Sequence, residues 1–324
     1  MILYMKQLSL LIILTLYSLT SYAQFIKIKK GQWFLNNELS YFKTLGNFED
    51  EFGSFVKLNN NNSFKYSKFS LKGRYDYSNK LALTTELPVV NSESSDSNFS
   101  RTNSGVPEVS FGVISKKSLW GFKIYPTAKL NIPLYTIDTN TDKSLLSDGA
   151  FFVSGGFKAV LSSSHFVPYF DTGIKYRGEG LSTLIYFDTG ATAHLGNFFI
   201  NTALETYTTV IDDENINTPE NRTQVTDGVN GTSLAFYSIN PSLIEVGLGL
   251  GYKFNKKHQL GFKYKTSIDG KNAPFSDTYF LTYSFRGQRF SKKKIKKMKR
   301  SKILKEFQEE LDDLGDDIKS SEDI

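Results

Sequence analysis

Apolar and polar side chains alternate with a period of two along most of the chain between residues 31 and 285. Between residues 68 and 77, Phe69, Leu71 and Tyr75 fall on one side of an extended chain, and Lys72 and Arg74 fall on the other. This period is that of a β-strand with one apolar and one polar face, and no sustained helical period of 3.6 residues interrupts it. The chain must therefore fold into sheets whose apolar face is covered, either by a protein core or by a lipid bilayer.

The lengths of the strands and of their connections decide between these two environments. Alternating segments fall at residues 32–43, 64–78, 80–90, 106–116, 119–134, 149–162, 166–178, 181–194, 198–211, 238–254, 258–269 and 277–285. Brief links near Asn79, Lys117, Ser163, Gly196 and Lys256 alternate with mostly longer ones at 44–63, 91–105, 135–148, 212–237 and 270–276; the link at 178–180 is a short exception. Short periplasmic turns and long external loops produce this rhythm in membrane barrels, whereas a soluble sandwich does not explain it. The sequence predicts an all-β fold, a transmembrane antiparallel up-and-down β-barrel of about 12 strands, with both termini in the periplasm.

The N-terminus predicts export to the bacterial outer membrane. An almost wholly apolar run, Leu8–Leu19, follows Lys6 and precedes the small residues Ser21 and Ala23. This is the pattern of a secretory signal peptide, expected at residues 1–23, with a retained anchor as the alternative. The barrel is then expected at residues 24–285. The chain has no cysteine, so disulfides, thiol catalysis and cysteine zinc sites are excluded.

A highly charged tail follows the last alternating segment, at residues 286–324. It holds twelve Lys and Arg against nine Asp and Glu, so half of the chain's net charge of +6 is concentrated there and a basic, nucleic-acid-binding barrel is not indicated. Ile303, Phe307 and Leu311 recur at helical spacing, which predicts a partly helical periplasmic tail. Such a helix could contact a periplasmic partner, peptidoglycan or lipid headgroups, or it could be a solvated appendage without a partner.

The segment 279–285 resembles the C-terminal signal that the outer-membrane assembly machinery reads. Tyr279, Leu281, Tyr283 and Phe285 share one face and the segment ends on an aromatic residue. We therefore expect the assembly machinery to be one partner of the protein, and outer-membrane lipid and lipopolysaccharide to surround the folded barrel.

The polar faces of the strands are expected to line an enclosed lumen. A Lys or Arg facing lipid at mid-bilayer would cost about 2–4 kcal/mol, so the ionic side chains must face inward. The candidate lumen-lining residues are Lys72, Arg74, Asp76, Glu86, Glu108, Lys123, Tyr125, Lys129, Asp171, Lys175, Asp188, Glu205, Glu245 and Lys263. Both signs of charge occur, so the lumen is either a path for small solutes or a plugged network of salt bridges.

Catalytic machinery is not indicated by the sequence. The chain has three histidines, and two of them, His165 and His258, fall in expected turns. His194 remains, but Ser182, the serine on the same face, lies roughly 40 Å away along a strand. A lipid hydrolase is thus disfavoured, and we predict no enzyme, no cofactor and no metal site. The acidic run 212–214 could hold a divalent cation, but solvated loop charge also explains it.

Several short motifs between residues 64 and 285 resemble an outer-membrane barrel family associated with transport in the phenol meta-degradation pathway. They are Phe69–Tyr77, Leu81–Pro88, Gly105–Val109, Pro126–Pro133, Ser154–Gly156, Glu245–Phe254 and Tyr279–Phe285. The resemblance implies a channel-like barrel for small, often hydrophobic or aromatic, solutes. The alternative is a structural or interaction protein of the outer membrane whose C-terminal tail binds a periplasmic partner.

Overall fold

The computed structural model describes residues 28–49, 53–59, 61–119, 122–137, 143–161, 165–288, 301–302 and 305. The expected signal peptide at residues 1–23 lies outside the described residues, as does most of the expected tail at residues 286–324. Within that tail, Arg286, Gly287 and Gln288 belong to the last strand, which ends three residues later than expected. Ser301, Lys302 and Lys305 are helical.

Fifteen strands and one helix form the described structure between residues 28 and 288. In chain order they are β1 (Gln32–Glu49), β2 (Ser54–Lys57), β3 (Ser63–Asp76), β4 (Leu81–Ser95), β5 (Ser100–Gly105), β6 (Glu108–Ser115), β7 (Lys117–Leu119), β8 (Phe122–Pro133), β9 (Phe152–Leu161), β10 (Phe166–Arg177), β11 (Thr183–Leu195), β12 (Phe198–Ile211), α1 (Glu220–Val229), β13 (Ser242–Lys253), β14 (His258–Lys271) and β15 (Ala273–Gln288). Strands β2, β5 and β7 are short and pair with β1, β4 and β8 respectively. The other twelve form the wall.

The wall is a closed antiparallel barrel, because its last strand pairs with its first. Each wall strand pairs with its neighbours in the chain, and β15 pairs with β1. At this seam the Ser284 hydroxyl donates a hydrogen bond to the Asn36 side-chain oxygen at 2.7 Å, and the rings of Trp33 and Phe285 lie 5.0 Å apart. Closure leaves no unpaired wall edge. The predicted up-and-down barrel of twelve strands is confirmed.

The connections give the barrel two different ends. The turn end carries the start of β1, the end of β15 and short links of the wall, and the loop end carries the other links, most of which are longer. The expected long loop at 270–276 is wrong, because β14 and β15 are joined by Asn272 alone. Asn272 has φ of 46°, and asparagine adopts this left-handed conformation at little cost, so a one-residue reversal is feasible.

Exposure alternates along the wall strands as the side-chain pattern predicts. Leu39, Phe69, Phe111, Leu248 and Phe262 are each about half exposed on the outer face, whereas their neighbours along each strand turn inward. At the turn end the outer face carries a belt of rings, including Trp33, Tyr75, Tyr77, Phe198 and Tyr252. An apolar band bordered by amphipathic aromatic rings matches the bilayer core and its interface.

The helix α1 was not expected from the sequence, which has no apolar period at residues 220–229. It lies in the long connection between β12 and β13 and buries Val225 and Val229 against Leu145 from the loop after β8. Glu220 in its first turn suits the positive end of the helix dipole. No helix in the described part of the chain is long and apolar enough to cross a membrane.

The hairpin of β4 and β5 contains an ion pair between Asp96 and Arg101, and this contact is expected to depend on pH. Asp96 accepts hydrogen bonds from the Arg101 guanidinium at 2.6 Å and from the backbone N–H groups of Asn98 and Phe99 at 2.8 and 2.9 Å. The Arg101 bond, followed by the two backbone bonds, lowers the pKa of Asp96 to about 2. Because an unperturbed aspartate has a pKa of about 3.9, this hairpin contact is fully present above that pH and is lost as the pH falls through 2.

We expect a carbon-13 NMR titration of the Asp96 carboxylate in the detergent-solubilised barrel to give a midpoint near pH 2. The variant Arg101→Gln should move this midpoint upward, because it removes the strongest donor. An Asp96 midpoint that is unchanged by this variant would contradict the assignment.

Candidate functional site

The turn half of the lumen contains a cavity of about 460 Å³. This volume lies within the range of small-molecule sites in proteins. Inward side chains of β1, β3, β4, β6, β8 and β12–β15 line it. They include Phe34, Asn36, Glu38, Lys72, Arg74, Glu86, Ser110, Lys129, Phe199, Asn201, Gln259, Lys263, Phe280, Thr282 and Ser284. The lining combines ionic groups, neutral hydrogen-bonding groups and three phenylalanine rings.

One wall of the cavity carries a four-member charge network. The Lys72 ammonium lies 2.8 Å from the Glu38 carboxylate and 3.8 Å from that of Glu86, and Lys129 lies 3.1 Å from Glu86. Lys72 and Glu86 are directly opposed in the pairing of β3 with β4. Each of the two carboxylates is paired with at least one lysine, so the four charges largely neutralise one another along the wall. The cavity beside them stays open.

A second network lies on β12, β13 and β14, and Lys263 is its member that lines the cavity. Lys265 bridges Glu205 at 2.9 Å and Glu245 at 2.5 Å, and Lys263 forms an ion pair with Glu205. Glu205 and Glu245 are directly opposed in the pairing of β12 with β13. Two like charges at such a position repel each other, so the lysines are what allows them to lie side by side.

These two glutamates belong to a longer acidic row. Across adjacent strands, Asp171 opposes Asp188, Asp188 opposes Glu205, and Glu205 opposes Glu245. Lys158 precedes the row on β9 and lies 3.6 Å from Asp171. Four neighbouring strands thus present carboxylates to the lumen at matched positions, with lysines on both flanks of the row.

Several inward cations lie over aromatic faces. The Arg74 guanidinium is 3.8 Å from the ring centre of Phe34, and the Lys175 ammonium is 3.9 Å from that of Phe152. Lys158 lies 4.1 Å from the ring centre of Tyr169. Aromatic faces stabilise desolvated cations, so these contacts hold charge inside the barrel without a carboxylate at every site.

Tyr186 lies flat against the wall because its neighbours are glycines. Gly156, Gly173 and Tyr186 occupy matched positions on β9, β10 and β11, and the Tyr186 hydroxyl lies over both glycines. A side chain on Gly156 or Gly173 would collide with that hydroxyl. Three strands are thus spanned by one ring, which leaves the centre of the lumen free.

The structure separates the candidate residues into groups. Lys72, Arg74, Glu86, Lys129 and Lys263 line the cavity. The acidic row contains Asp171, Asp188, Glu205 and Glu245, and Lys175 lies against Phe152. Asp76 is fully buried and accepts hydrogen bonds from Arg74 and from the backbone N–H of Lys29. Glu108 and Lys123 are half-buried near opposite ends of the wall.

Tyr125 does not line the cavity. It is 2% exposed and packs with Ile28, Ala82, Val160 and Val167 in an apolar cluster at the turn end. Ile28 belongs to the segment before β1, and Lys29 and Gly31 in the same segment donate backbone hydrogen bonds to Asp76. This segment fills one side of the turn end, and the cavity lies on the other side.

Sequence reasoning missed the three inward phenylalanines of the cavity, Phe34, Phe199 and Phe280. The signal was present, because each shares a face with polar residues such as Asn36, Asn201 and Thr282. An aromatic residue at an inward position can mark contact with a solute or with a neighbouring side chain, and the sequence does not distinguish these cases.

The loop end of the lumen is occupied by two connections that pack together. Leu145 from the loop after β8 contacts Val225 and Val229 of α1, with Phe236 and Tyr237 at the edge of this cluster. Asp148 accepts a hydrogen bond from the Tyr237 backbone N–H at 2.8 Å and lies 3.3 Å from the Arg177 guanidinium. These connections narrow the mouth at this end.

The residues considered for hydrolysis or metal binding are engaged elsewhere. Ser182 accepts a hydrogen bond from Arg177 at 2.5 Å, and a His194 ring nitrogen lies 2.8 Å from the Lys253 ammonium. Asp213 of the acidic run forms a buried ion pair with Arg222 at 3.3 Å. Within the described residues, no group of three or more His, Asp or Glu side chains is arranged to hold a metal ion.

Comparison with solved structures places this geometry among outer-membrane barrels. The fold is similar to an outer membrane channel from Pseudomonas putida F1, with a TM-score of 0.63 and 11% identity, covering 83% of this chain and 100% of that chain. The translocator domain of the autotransporter NalP from Neisseria meningitidis gives a TM-score of 0.48 and 9% identity, covering 83% and 91%. The CymD monoaromatic hydrocarbon channel gives a TM-score of 0.41 and 8% identity, covering 81% of this chain and 90% of that chain. No protein-family model and no curated protein sequence matches the chain. The chain therefore shares the fold of outer-membrane β-barrels.

Proposed function

We propose that this protein is an outer-membrane channel for small solutes, with both termini and the turn end in the periplasm and the loop end outside. The observation that carries the proposal is the lumen cavity of about 460 Å³, which is lined by the paired charges of Glu38, Lys72, Glu86 and Lys129 and by Lys263, the partner of Glu205. Paired charges hold water and polar solutes without trapping a single ion. The similar fold of the channel from Pseudomonas putida F1 supports the same reading.

The solute class that we propose is small and amphipathic, with room for an aromatic ring. Phe34, Phe199 and Phe280 offer ring contacts inside the cavity, and Asn36, Gln259 and Ser284 offer neutral hydrogen bonds beside them. Such a lining suits a molecule with one apolar and one polar side. The motif resemblance to barrels associated with the phenol meta-degradation pathway agrees with this class. A periplasmic partner of the tail stays a separate prediction.

Liposome swelling tests the channel directly. Purified protein in phospholipid vesicles should admit a small polar solute such as L-arabinose and should exclude a trisaccharide such as raffinose. Vesicles with heat-denatured protein serve as the control. Swelling rates equal to this control for every solute would contradict the proposal and would favour a plugged structural barrel.

The fixed charge of the lumen predicts a preference for anions. Inward positions of the wall strands carry twelve basic and eight acidic side chains. The basic ones are Lys68, Lys72, Arg74, Lys123, Lys129, Lys158, Lys175, Arg177, Lys253, Lys263, Lys265 and Arg286, and the acidic ones are Glu38, Asp76, Glu86, Glu108, Asp171, Asp188, Glu205 and Glu245. Excess positive charge in a narrow pore concentrates anions.

We expect the reversal potential across a bilayer with a KCl gradient to have the sign of chloride selectivity. Lys68→Met should reduce this preference, because Lys68 faces the lumen. Lys43→Met is the matched control, because Lys43 is exposed on the outer face at the loop end and should leave the potential unchanged. A cation-selective pore would contradict the charge count.

A further inference from the structure

An aromatic stack lies at the loop end of the lumen, above the charged region. The Tyr66 ring stacks on Phe42 with ring centres 4.7 Å apart and an interplanar angle of 8°. It also stacks on Phe236, at 5.8 Å and 22°. Phe64 meets Phe236 edge to face at 5.8 Å and 84°. Stacked and edge-to-face contacts of this kind are the preferred geometries of aromatic pairs.

The members of this stack come from two different kinds of structure. Phe42 lies on β1, and Phe64 and Tyr66 lie on β3, so the wall holds these three rings. Phe236 comes from the connection between α1 and β13. We propose that Phe42, Phe64 and Tyr66 form an entry site for the ring of an aromatic solute, and that Phe236 occupies this site until a solute ring replaces it. This inference rests on the proposed channel function.

The backbone around Phe236 is strained in its inward position. Thr232, Tyr237 and Asn240 have φ of 62°, 66° and 46°, which lie in the left-handed region. For a β-branched residue such as Thr232 and for a bulky one such as Tyr237, this conformation is unfavourable. Strain of this kind persists where other contacts enforce it, and the strain at Tyr237, directly beside Phe236, is the part that a departure of the ring can relieve.

Side chains of the wall enforce this conformation on one side of Phe236. The Asn47 amide donates to the Thr232 carbonyl at 2.8 Å and its oxygen accepts from the Leu234 N–H at 3.0 Å. The Ser94 hydroxyl donates to the Val229 carbonyl at 2.7 Å. These bonds hold residues 229–234, and the bond from the Tyr237 N–H to Asp148 holds the chain on the other side of Phe236. The Phe236 ring can therefore leave the stack while the segment stays attached at both ends.

The structure also provides space for that movement. A second cavity of about 280 Å³ is lined by Leu234, Tyr237, Ser238, Ile239 and Asn240 on one side and by residues of α1 on another. The moving segment therefore borders an empty volume. Tyr237, the neighbour of Phe236 in the chain, lines this cavity, so a shift of the segment that carries Phe236 has space beside it.

The ring that leaves defines the ligand that enters. Phe236 fills the site with a single uncharged six-membered ring, and its ring contacts with the wall are an edge-to-face contact with Phe64 and a stacked contact with Tyr66, which also carries a hydroxyl. The site thus fits an uncharged one-ring aromatic solute. A saturated ring of equal size would lack the stacking contact with Tyr66 and should compete poorly.

Single-channel recording tests the displacement, with benzyl alcohol as the probe and cyclohexylmethanol as its saturated analogue. At a concentration ten times its dissociation constant, benzyl alcohol should shift the opening equilibrium of the full chain by about tenfold. Cyclohexylmethanol should have little effect. Phe236→Ala should be open without a probe and should not respond further to benzyl alcohol. Phe254→Ala removes an exposed ring of the outer face and should behave like the parent protein.

A second measurement does not depend on conduction. Because the chain has no cysteine, a spin label can be attached at Ala235→Cys, next to Phe236. Benzyl alcohol should increase the mobility of this label in the electron paramagnetic resonance spectrum, and cyclohexylmethanol should not. A spectrum unchanged by benzyl alcohol would overturn the entry site even in a conducting channel. A mobility change in a barrel that does not conduct would support the site and refute the channel.

Discussion

Gly173→Val is expected to abolish assembly of the barrel. A Cβ atom at Gly173 would lie 2.5 Å from the Tyr186 hydroxyl and 2.7 Å from the Gly156 Cα, both shorter than Cβ contacts in folded proteins. Overpacking a core normally costs about 1–3 kcal/mol, but here one obstacle is the backbone of the paired strand, which cannot move without breaking the ladder of β9 and β10. The expected loss therefore exceeds that range.

The control for this experiment is a valine at Gly155, the residue next to Gly156 on β9. A Cβ at Gly155 meets nothing within 4 Å, because Gly155 faces outward. Gly155→Val should therefore fold like the parent chain. Folded barrels migrate differently from unfolded chains in electrophoresis without heating, and this assay measures the refolded fraction in detergent. Equal refolded fractions for the two valine variants would show that the close approach of β9 and β10 has been misassigned.

Lys265→Met is expected to give the second largest loss of stability. Lys265 is 14% exposed and bridges Glu205 and Glu245, which oppose each other across the β12–β13 ladder. Removing one partner of a buried ion pair costs about 3–5 kcal/mol, because the remaining charge is left uncompensated. Lys263 still pairs with Glu205, so the uncompensated charge is chiefly that of Glu245. We therefore expect the free energy of unfolding to fall by an amount near the lower limit of this range, about 3 kcal/mol, as measured by urea unfolding in lipid bilayers.

A second substitution distinguishes this mechanism from a packing effect. Glu245→Gln in the Lys265→Met background removes the uncompensated charge and should recover most of the loss. Lys257→Met, in an exposed turn, is the matched control for losing a lysine. If the double variant is no more stable than Lys265→Met alone, the bridge between the two carboxylates does not carry the effect.

The alternation of side chains was sufficient to predict the wall. The expected strand at 198–211 is β12 as the structure has it, and the expected strand at 258–269 differs from β14 by two residues at its end. The physical reason is that lipid on one side and a polar lumen on the other impose a strict period of two. A shift of one residue would turn every charge toward lipid, so the face of each residue is strongly specified.

Pairing register and loop packing could not be predicted in the same way. The acidic row exists because Asp171, Asp188 and Glu205 fall at matched positions on three strands, and the alternation assigns each residue a face but not a level. Phe236 lies in a connection without periodicity, so its place in the aromatic stack had no signal in the sequence. The helix α1 likewise depends on contacts of Val225 and Val229 with Leu145.

The seam between β1 and β15 has a consequence for biogenesis. Ser284 and Asn36, which are hydrogen-bonded across the seam, are 248 residues apart in sequence. The barrel is therefore closed by β15, the wall strand that is synthesised last. A chain that lacked β15 would have two unpaired edge strands, β1 and β14, and could not form a closed barrel. The wall can therefore close only after its final strand has been synthesised.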